Sequence, residues 1–301
     1  MLADGDRFEA HRPTLIRLAY RMLGSAAEAE DIVQDAYLRW RGALERTAIA
    51  DDAAYLRATV TRLALDRLRS ARAQRETYVG PWLPEPVVAD DAGDPAAAVT
   101  LADDISFALM LALERLSPLE RAAFILHDVL DVPFAEIASA IGRTEEAARR
   151  LASRAREHVR EPRARRSPRM SEAIRLRDAF TAALRHADME AMLHLLTDDV
   201  VLLSDGGGKA PAAINPLIEP NRVARFLIGI ATKGRARVTG VVPAFLNGDP
   251  GFIVRGEEAG FDGVIQALAV ETDGDRINAI YVMRNPDKLR AIAARMREAE
   301  A

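Results

Sequence analysis

The stretch from Pro133 to Arg160, PFAEIASAIGRTEEAARRLASRAREHVR, constrains this chain more than any other. Phe134, Ile137, Ala138 and Ile141 recur at i, i+3, i+4 and i+7, the spacing of one apolar stripe on a short helix. Gly142 stops that helix and Thr144 stands where a capping side chain belongs. Glu145 and Glu146 follow, where the positive end of a second helix dipole favours them. On this second helix Ala148, Leu151, Ala152 and Ala155 form the inner stripe, and Arg149, Arg150, Ser153, Arg154 and Glu157 take the other face. Two short helices, a tight turn and an Arg-bearing outer face read as a helix-turn-helix whose second helix is offered to a major groove. A surface helix with solvated charges explains the second stripe taken alone. The neighbouring segments weigh against that blander reading.

The chain has 301 residues, enough for two or three domains. It has no Cys, which excludes disulfides, Cys-bound zinc and thiol chemistry. His11, His127, His158, His186 and His194 show no metal-ligand spacing, so neither metal nor cofactor is expected. No signal pattern and no apolar run of membrane-spanning length is present, and a cytoplasmic protein with no membrane partner is expected. The net charge of −4 is unevenly spread. Residues 55–78 carry six Arg against Asp66 and Glu76, and residues 143–169 carry ten Arg against four Glu. Between them, residues 79–110 carry six acids and no Lys or Arg. A phosphate backbone responds to such local fields, not to the sum.

Ahead of the helix-turn-helix the chain reads as helical. Leu15, Leu18, Ala19, Met22 and Leu23 form one stripe, closed by Gly24-Ser25. Within 28–41, Ile32, Val33, Ala36, Tyr37 and Trp40 point inward while Asp31, Gln34, Asp35 and Arg39 share the outer face. Asp51-Asp52 opens a third helix with Leu56, Val60, Leu63 and Ala64 inward. Arg62, Asp66 and Arg69 lie on its other side. Pro81, Pro84, Pro86, Gly93 and Pro95 make 79–98 an extended linker, yet Trp82 and Leu83 within it ask for a docking surface. A second helical unit begins at Ile105 and includes the SPLER turn at 117–121. A short Arg/Pro boundary follows at Pro162 to Pro168. Beyond it the pattern is mixed: helices at 173–184, 189–196 and 221–231, and strands at 200–203, 236–246, 251–255, 261–271 and 276–283. Helices followed by an antiparallel meander predict an α+β cone, a curved sheet enclosing a pocket.

The motifs EAEDIVQDAYLRW (28–40), AYLRATVTRLALDRLRS (54–70) and LSPLERAAFILHDVLDVPFAEIASAIGRTEEAARRLASRARE (116–157) resemble those of bacterial RNA polymerase sigma factors of the extracytoplasmic-function group. WLPEP (82–86), DGGGK (205–209) and NPDKL (285–289) resemble marks of the subgroup with a fused SnoaL-like domain. The resemblance implies two all-α sigma domains, region 2 at 1–78 and region 4 at 101–161, joined by a linker at 79–100. A second linker at 162–170 then leads to a nuclear-transport-factor-2-like cone at 171–301. It further implies core RNA polymerase, through its β′ and β subunits, and promoter DNA as partners. Asp31, Gln34, Asp35 and Leu38 would face the polymerase. Arg57, Arg62, Asp66 and Arg69 would read and open the minus-ten element, with the loop at Ala48 to Asp52 holding an unpaired base. Thr144, Arg149, Arg150, Ser153 and Arg154 would bind the minus-thirty-five element as duplex.

The same resemblance makes Trp82, Leu83, Pro84, Asp205, Lys209, Asn285, Pro286, Asp287 and Lys288 candidates for a regulatory interdomain surface. From the residues alone, DGGGK lacks P-loop spacing and reads as a turn after a strand, and NPDKL reads as a strand-ending turn. Asp199, Asp205, Asp262, Glu271 and Tyr281 are the acid–base candidates of the last third, and they assemble into no constellation from sequence. The leading expectation is a promoter-specificity subunit, not an enzyme, tuned in cis by its cone. The alternatives are a stand-alone DNA-binding regulator whose cone senses an unknown small molecule, and a cone-fold enzyme tethered to DNA.

Overall fold

The computed structural model describes residues 4–75, 77–88, 105–159, 170–233 and 236–299. They form two compact units that do not follow chain order. The first takes the described residues up to 77 and those of 109–159; the second takes 78–88, 105–108 and everything from 170. The linker acids Asp90, Asp91, Asp94, Asp103 and Asp104, and the Arg/Pro boundary at 162–168, lie outside the described residues.

The first unit is helical: α1 (Asp4–Glu9), α2 (Arg12–Leu23), α3 (Ala26–Leu44), α4 (Asp52–Arg75), most of α5 (Phe107–Glu114), α6 (Pro118–Phe124), α7 (Phe134–Ile141) and α8 (Glu145–Val159). Local chemistry sets the boundaries. Gly24, at φ 71°, ends α2 by donating its N–H to the Tyr20 carbonyl at 2.7 Å. The next residue, Ser25, caps α3 by accepting the Glu28 N–H. The SPLER turn is a capping box, in which Ser117 accepts the Glu120 N–H and Glu120 accepts the Ser117 N–H at 3.0 Å. After α6 the chain runs through one π-helical turn, Ile125–Val129. Most of the predicted stripe residues are buried: Leu15, Leu18, Met22, Ile32, Val33, Trp40, Leu56 and Val60 build the core, while Tyr37, Leu63, Phe134 and Leu151 are only half-buried. Ala148, Ala152 and Ala155 are fully buried, and these small side chains let α8 lie close against α6.

The second unit is a six-stranded sheet of order β2-β1-β6-β5-β4-β3, with strands β1 (Leu196–Asp205), β2 (Leu217–Ile218), β3 (Arg237–Leu246), β4 (Asp249–Glu257), β5 (Val264–Thr272) and β6 (Ile277–Met283). The meander β3 to β6 is antiparallel as predicted, and β1 joins β6 in parallel. Helices α9 (Met170–His186), α10 (Met189–Leu195) and α11 (Pro220–Lys233) cover one face. There Phe180, Met192, Val223 and Leu227 pack on Phe252, Leu268, Val270, Ile280 and Val282. The α+β class is the expected one, but the opposite face is also covered. A C-terminal helix, α12 (Pro286–Glu298), buries Leu289, Ile292 and Ala293 against it, and the linker segment 78–88 docks beside that helix. Two-sided burial explains why every residue of β6 is buried, where a half-exposed strand would alternate.

Candidate nucleic-acid interface and strap anchor

On α8 the predicted cap is present, since Thr144 Oγ1 accepts the Ala147 N–H at 3.2 Å. Arg149, Arg150, Ser153 and Arg154 are all exposed on the face opposite the buried alanines. Arg149 pairs with Glu145 one turn back and lies over the Phe134 ring at 4.8 Å; Arg150 pairs with Glu146 at 3.4 Å. Exposed i,i+4 pairs of this kind are worth only ~0.3–0.5 kcal/mol, so they orient the guanidiniums without withholding them from a phosphate. Arg156, at the inner edge, is held by Asp128 at 2.6 Å.

The four polar positions proposed on α4 are divided. Asp66 and Arg69 are exposed and bond to each other at 3.1 Å. Arg57 instead pairs with Glu136 of α7 at 2.8 Å, and Arg62 donates to the carbonyls of Ser139 and Ala140 at 2.9 and 3.1 Å. Both arginines therefore satisfy the first helix of the helix-turn-helix in this state. Arg121 of α6, which the sequence reading did not single out, is nearly fully buried. It donates to the Leu113 and Met22 carbonyls at 2.9 and 2.7 Å and pairs with Glu114, pinning the end of α2. Its apolar neighbours in AAF gave no warning of a buried cation; only its place beside a capping box hints at order.

The loop before α4 lines a shallow, open cavity of about 480 Å³ with Arg46, Thr47, Ala48, Ile49, Asp51 and Tyr55. Asp52 anchors that loop. It accepts the Trp40 Nε1–H at 3.0 Å and Arg7 at 2.6 Å. Burial alone would raise the Asp52 pKa, but these donors and the Arg7 charge hold it below the usual carboxylate range. On α3, Asp31, Gln34, Asp35 and Leu38 share one exposed face. The first three also line a cleft with Asp66 and Arg67.

In the second unit three motifs converge on Asp205, whose side chain is fully buried at the end of β1. It accepts the Tyr78 hydroxyl at 2.6 Å, the Leu83 N–H at 2.9 Å and Lys288 Nζ at 2.8 Å. Lys288 also donates to the Leu83 carbonyl and lies over the Trp82 ring at 4.3 Å. Burial and the neighbouring Asp205 push the Tyr78 hydroxyl well above its ordinary pKa. Asn285 caps α12 and donates to Tyr78 at 2.8 Å, while Lys209 pairs with Asp287. WLPEP, DGGGK and NPDKL thus meet at one place. Neither turn reading describes it fully: Asp205 is the buried hub, and NPDKL starts a helix that the sequence reading did not foresee. The signal was available as Leu289, Ile292 and Ala293 behind an Asn-Pro start. Of the acid–base candidates, Glu271 and Tyr281 are bonded at 2.6 Å, Asp262 pairs with Arg297, and Asp199 is exposed.

Residues 7–74 match the family model for sigma-70 region 2, and residues 106–159 match that for sigma-70 region 4. Over 305 aligned residues the chain is 43% identical to the extracytoplasmic-function RNA polymerase sigma factor SigJ of Mycobacterium tuberculosis, covering 97% of this chain and 95% of the relative. It is 36% identical to the probable sigma factor SigI of the same species over 64% of this chain and 67% of that one. The crystal structure of M. tuberculosis SigJ superposes with a TM-score of 0.73 at 39% identity, covering 94% of this chain and 97% of that structure.

Proposed function

Because this chain belongs to the extracytoplasmic-function RNA polymerase sigma factors, we propose that its two helical segments grip a promoter at two points and that its C-terminal unit sets how freely they do so. The observation that carries the reading is the outward row Arg149, Arg150, Ser153 and Arg154 on the capped second helix of a helix-turn-helix whose inner alanines, Ala148, Ala152 and Ala155, are buried. In this reading α8 enters the major groove of the minus-thirty-five element. The cavity before α4 receives an unpaired base of the minus-ten element; its lining combines Tyr55, small apolar side chains and Arg46. The exposed face of α3, with Leu38 at 55% exposure, docks on the polymerase β′ subunit, an apolar contact ringed by Asp31, Gln34 and Asp35. Arg57 and Arg62 reach DNA only when α4 and α7 part, so the packed state is a resting one.

The test is run-off transcription with purified core polymerase. The full chain directs promoter-dependent transcripts, and Arg150→Ala and Arg154→Ala each lower the slope of log affinity against log salt by about 1. Tight operator binding without polymerase, together with no transcript in its presence, would replace this reading with a stand-alone regulator.

A further inference from the structure

One aromatic ring joins the packed side of the helix-turn-helix to its outer face. Phe134, the first residue of α7, is half-buried, and its ring meets two planar groups. The His127 imidazole lies 4.0 Å from it between centroids, and the Arg149 guanidinium carbon lies 4.8 Å from its centroid. His127 belongs to the π-helical turn, and its Nδ1 donates to the Val132 carbonyl at 3.2 Å, which orients the imidazole. Asp128, the next residue of that turn, accepts Arg156 Nε at 2.6 Å. Two consecutive side chains thus brace α8, Asp128 directly and His127 through Phe134. Single π turns of this kind recur at functional positions.

Arg149 is held differently from its neighbour. Its Nη2 pairs with Glu145, and the Phe134 ring lies against the guanidinium. A ring contact takes the charge over its face and uses none of the five N–H donors. The side chain remains 59% exposed, on the fifth residue of α8, near the end from which recognition helices read base edges. Arg150, 63% exposed, has its pairing with Glu146 at 3.4 Å and no ring against it among the described residues. The two arrangements suit different acceptors. A phosphate takes a cation from many directions, whereas guanine takes a guanidinium in one plane, through O6 and N7 together. We propose that Phe134 is the positioning residue that makes Arg149 a reader of one guanine in the minus-thirty-five element, with Arg150 and Arg154 left to phosphates. The ring limits the rotamers that this long side chain would otherwise give up on binding, and Glu145 steadies one end of the fork. Nη1 and the second Nη2 hydrogen then meet O6 and N7. The proposal rests on the promoter reading and adds to it the side chain that carries base preference and the ring that aims it.

Base preference is read with reconstituted holoenzyme, as affinity at fixed salt for a promoter and for variants in which each base pair of the minus-thirty-five element is replaced in turn. Arg149→Ala abolishes the preference for guanine at one pair and so marks it. Phe134→Leu keeps an apolar side chain and loses the ring. It lowers the preference at that same pair by about two- to fivefold, the worth of one exposed cation–π contact, and leaves the other pairs and the salt slope unchanged. Phe134→Tyr keeps the ring and the preference, and Phe134→Met decides the matter should leucine unsettle the fold. A Phe134→Leu panel that is unchanged, or weakened equally at every pair as a packing defect in α7 would make it, overturns the proposal. So does an Arg149→Ala chain that loses about 1 from the salt slope with its base preferences intact: Arg149 is then a phosphate contact, and the two-point grip still stands. A wild-type holoenzyme indifferent to every replacement removes the promoter reading itself, and the proposal with it.

Discussion

Asp52 shows how one residue can position the loop proposed to hold an unpaired base. Its carboxylate joins the start of α4 to Trp40 of α3 and Arg7 of α1, and the Arg7 guanidinium also lies over the Trp40 ring at 5.5 Å. Hydrogen bonds to a charged group are worth ~1.5–3 kcal/mol each when partly buried, and Asp52 makes two kinds. Asp52→Asn keeps an acceptor for Trp40 but loses the charge that holds Arg7, so we expect a loss of about 1–2 kcal/mol at pH 7. The pH dependence has a definite sign. A carboxylate with a depressed folded pKa contributes above its unfolded value, and that contribution disappears as pH falls through the folded one. The stability gap between wild type and Asp52→Asn, measured by denaturant unfolding, should therefore narrow from pH 6 toward pH 3. A gap that is constant over that interval would mean that Asp52 acts through shape alone.

At the scale of elements, the proposed function sets α7 and DNA in competition for Arg57 and Arg62 of α4. Glu136 is the acidic half of the contact and has no proposed role on DNA, so Glu136→Ala loosens the resting state while leaving the DNA-reading set intact. A half-buried ion pair of this kind is worth ~1 kcal/mol, which corresponds to a roughly fivefold shift in the packed-to-parted equilibrium. Promoter affinity of Glu136→Ala holoenzyme, measured at fixed salt, should rise by up to that factor, and a fall would show that α7 needs Glu136 for its own fold. The stripes of α2, α3, α7 and α8 were legible because each helix hides one face and shows the other, and Thr144, Gly142 and Ser117 marked their ends by capping chemistry. The pairing of Arg57 and Arg62 with α7 was not legible, because an arginine that faces another helix and one that faces phosphate occupy the same helical positions. The second covered face of the sheet escaped for a related reason. Ala267, Ala269 and Ala279 are small and carry no periodic signal of what packs on them. Asp205 was visible only as an odd acid beside a glycine run, since nothing local tells a buried hub from a solvated turn.

For the whole molecule, the proposed two-point grip makes the Asp205 hub a limit on reach. The linker joins the segment that carries α4, the proposed minus-ten helix, to the segment that carries α8, the proposed minus-thirty-five helix, and residues 78–88 are bound to the sheet. An extended chain spans ~3.3–3.6 Å per residue, so releasing this stretch would return roughly 35–40 Å of contour, about one turn of duplex. Lys288 is the residue to remove. Its side chain is 14% exposed, it pairs with a carboxylate that is fully buried, and it holds both the Leu83 carbonyl and the Trp82 ring. Breaking such a pair from one side costs ~3–5 kcal/mol, because the buried carboxylate is left uncompensated, and undocking the linker is the route by which Asp205 regains water. Lys288→Met should therefore free the linker while leaving every proposed DNA and polymerase contact in place. The expected readout is spacer tolerance. On promoters whose two elements are set one or two base pairs nearer or farther apart, Lys288→Met holoenzyme should retain several-fold more of its optimal run-off output than wild type does. Unchanged spacer profiles would mean that the docked linker places no limit on the two-point grip, and that the C-terminal unit must act on transcription by some other contact.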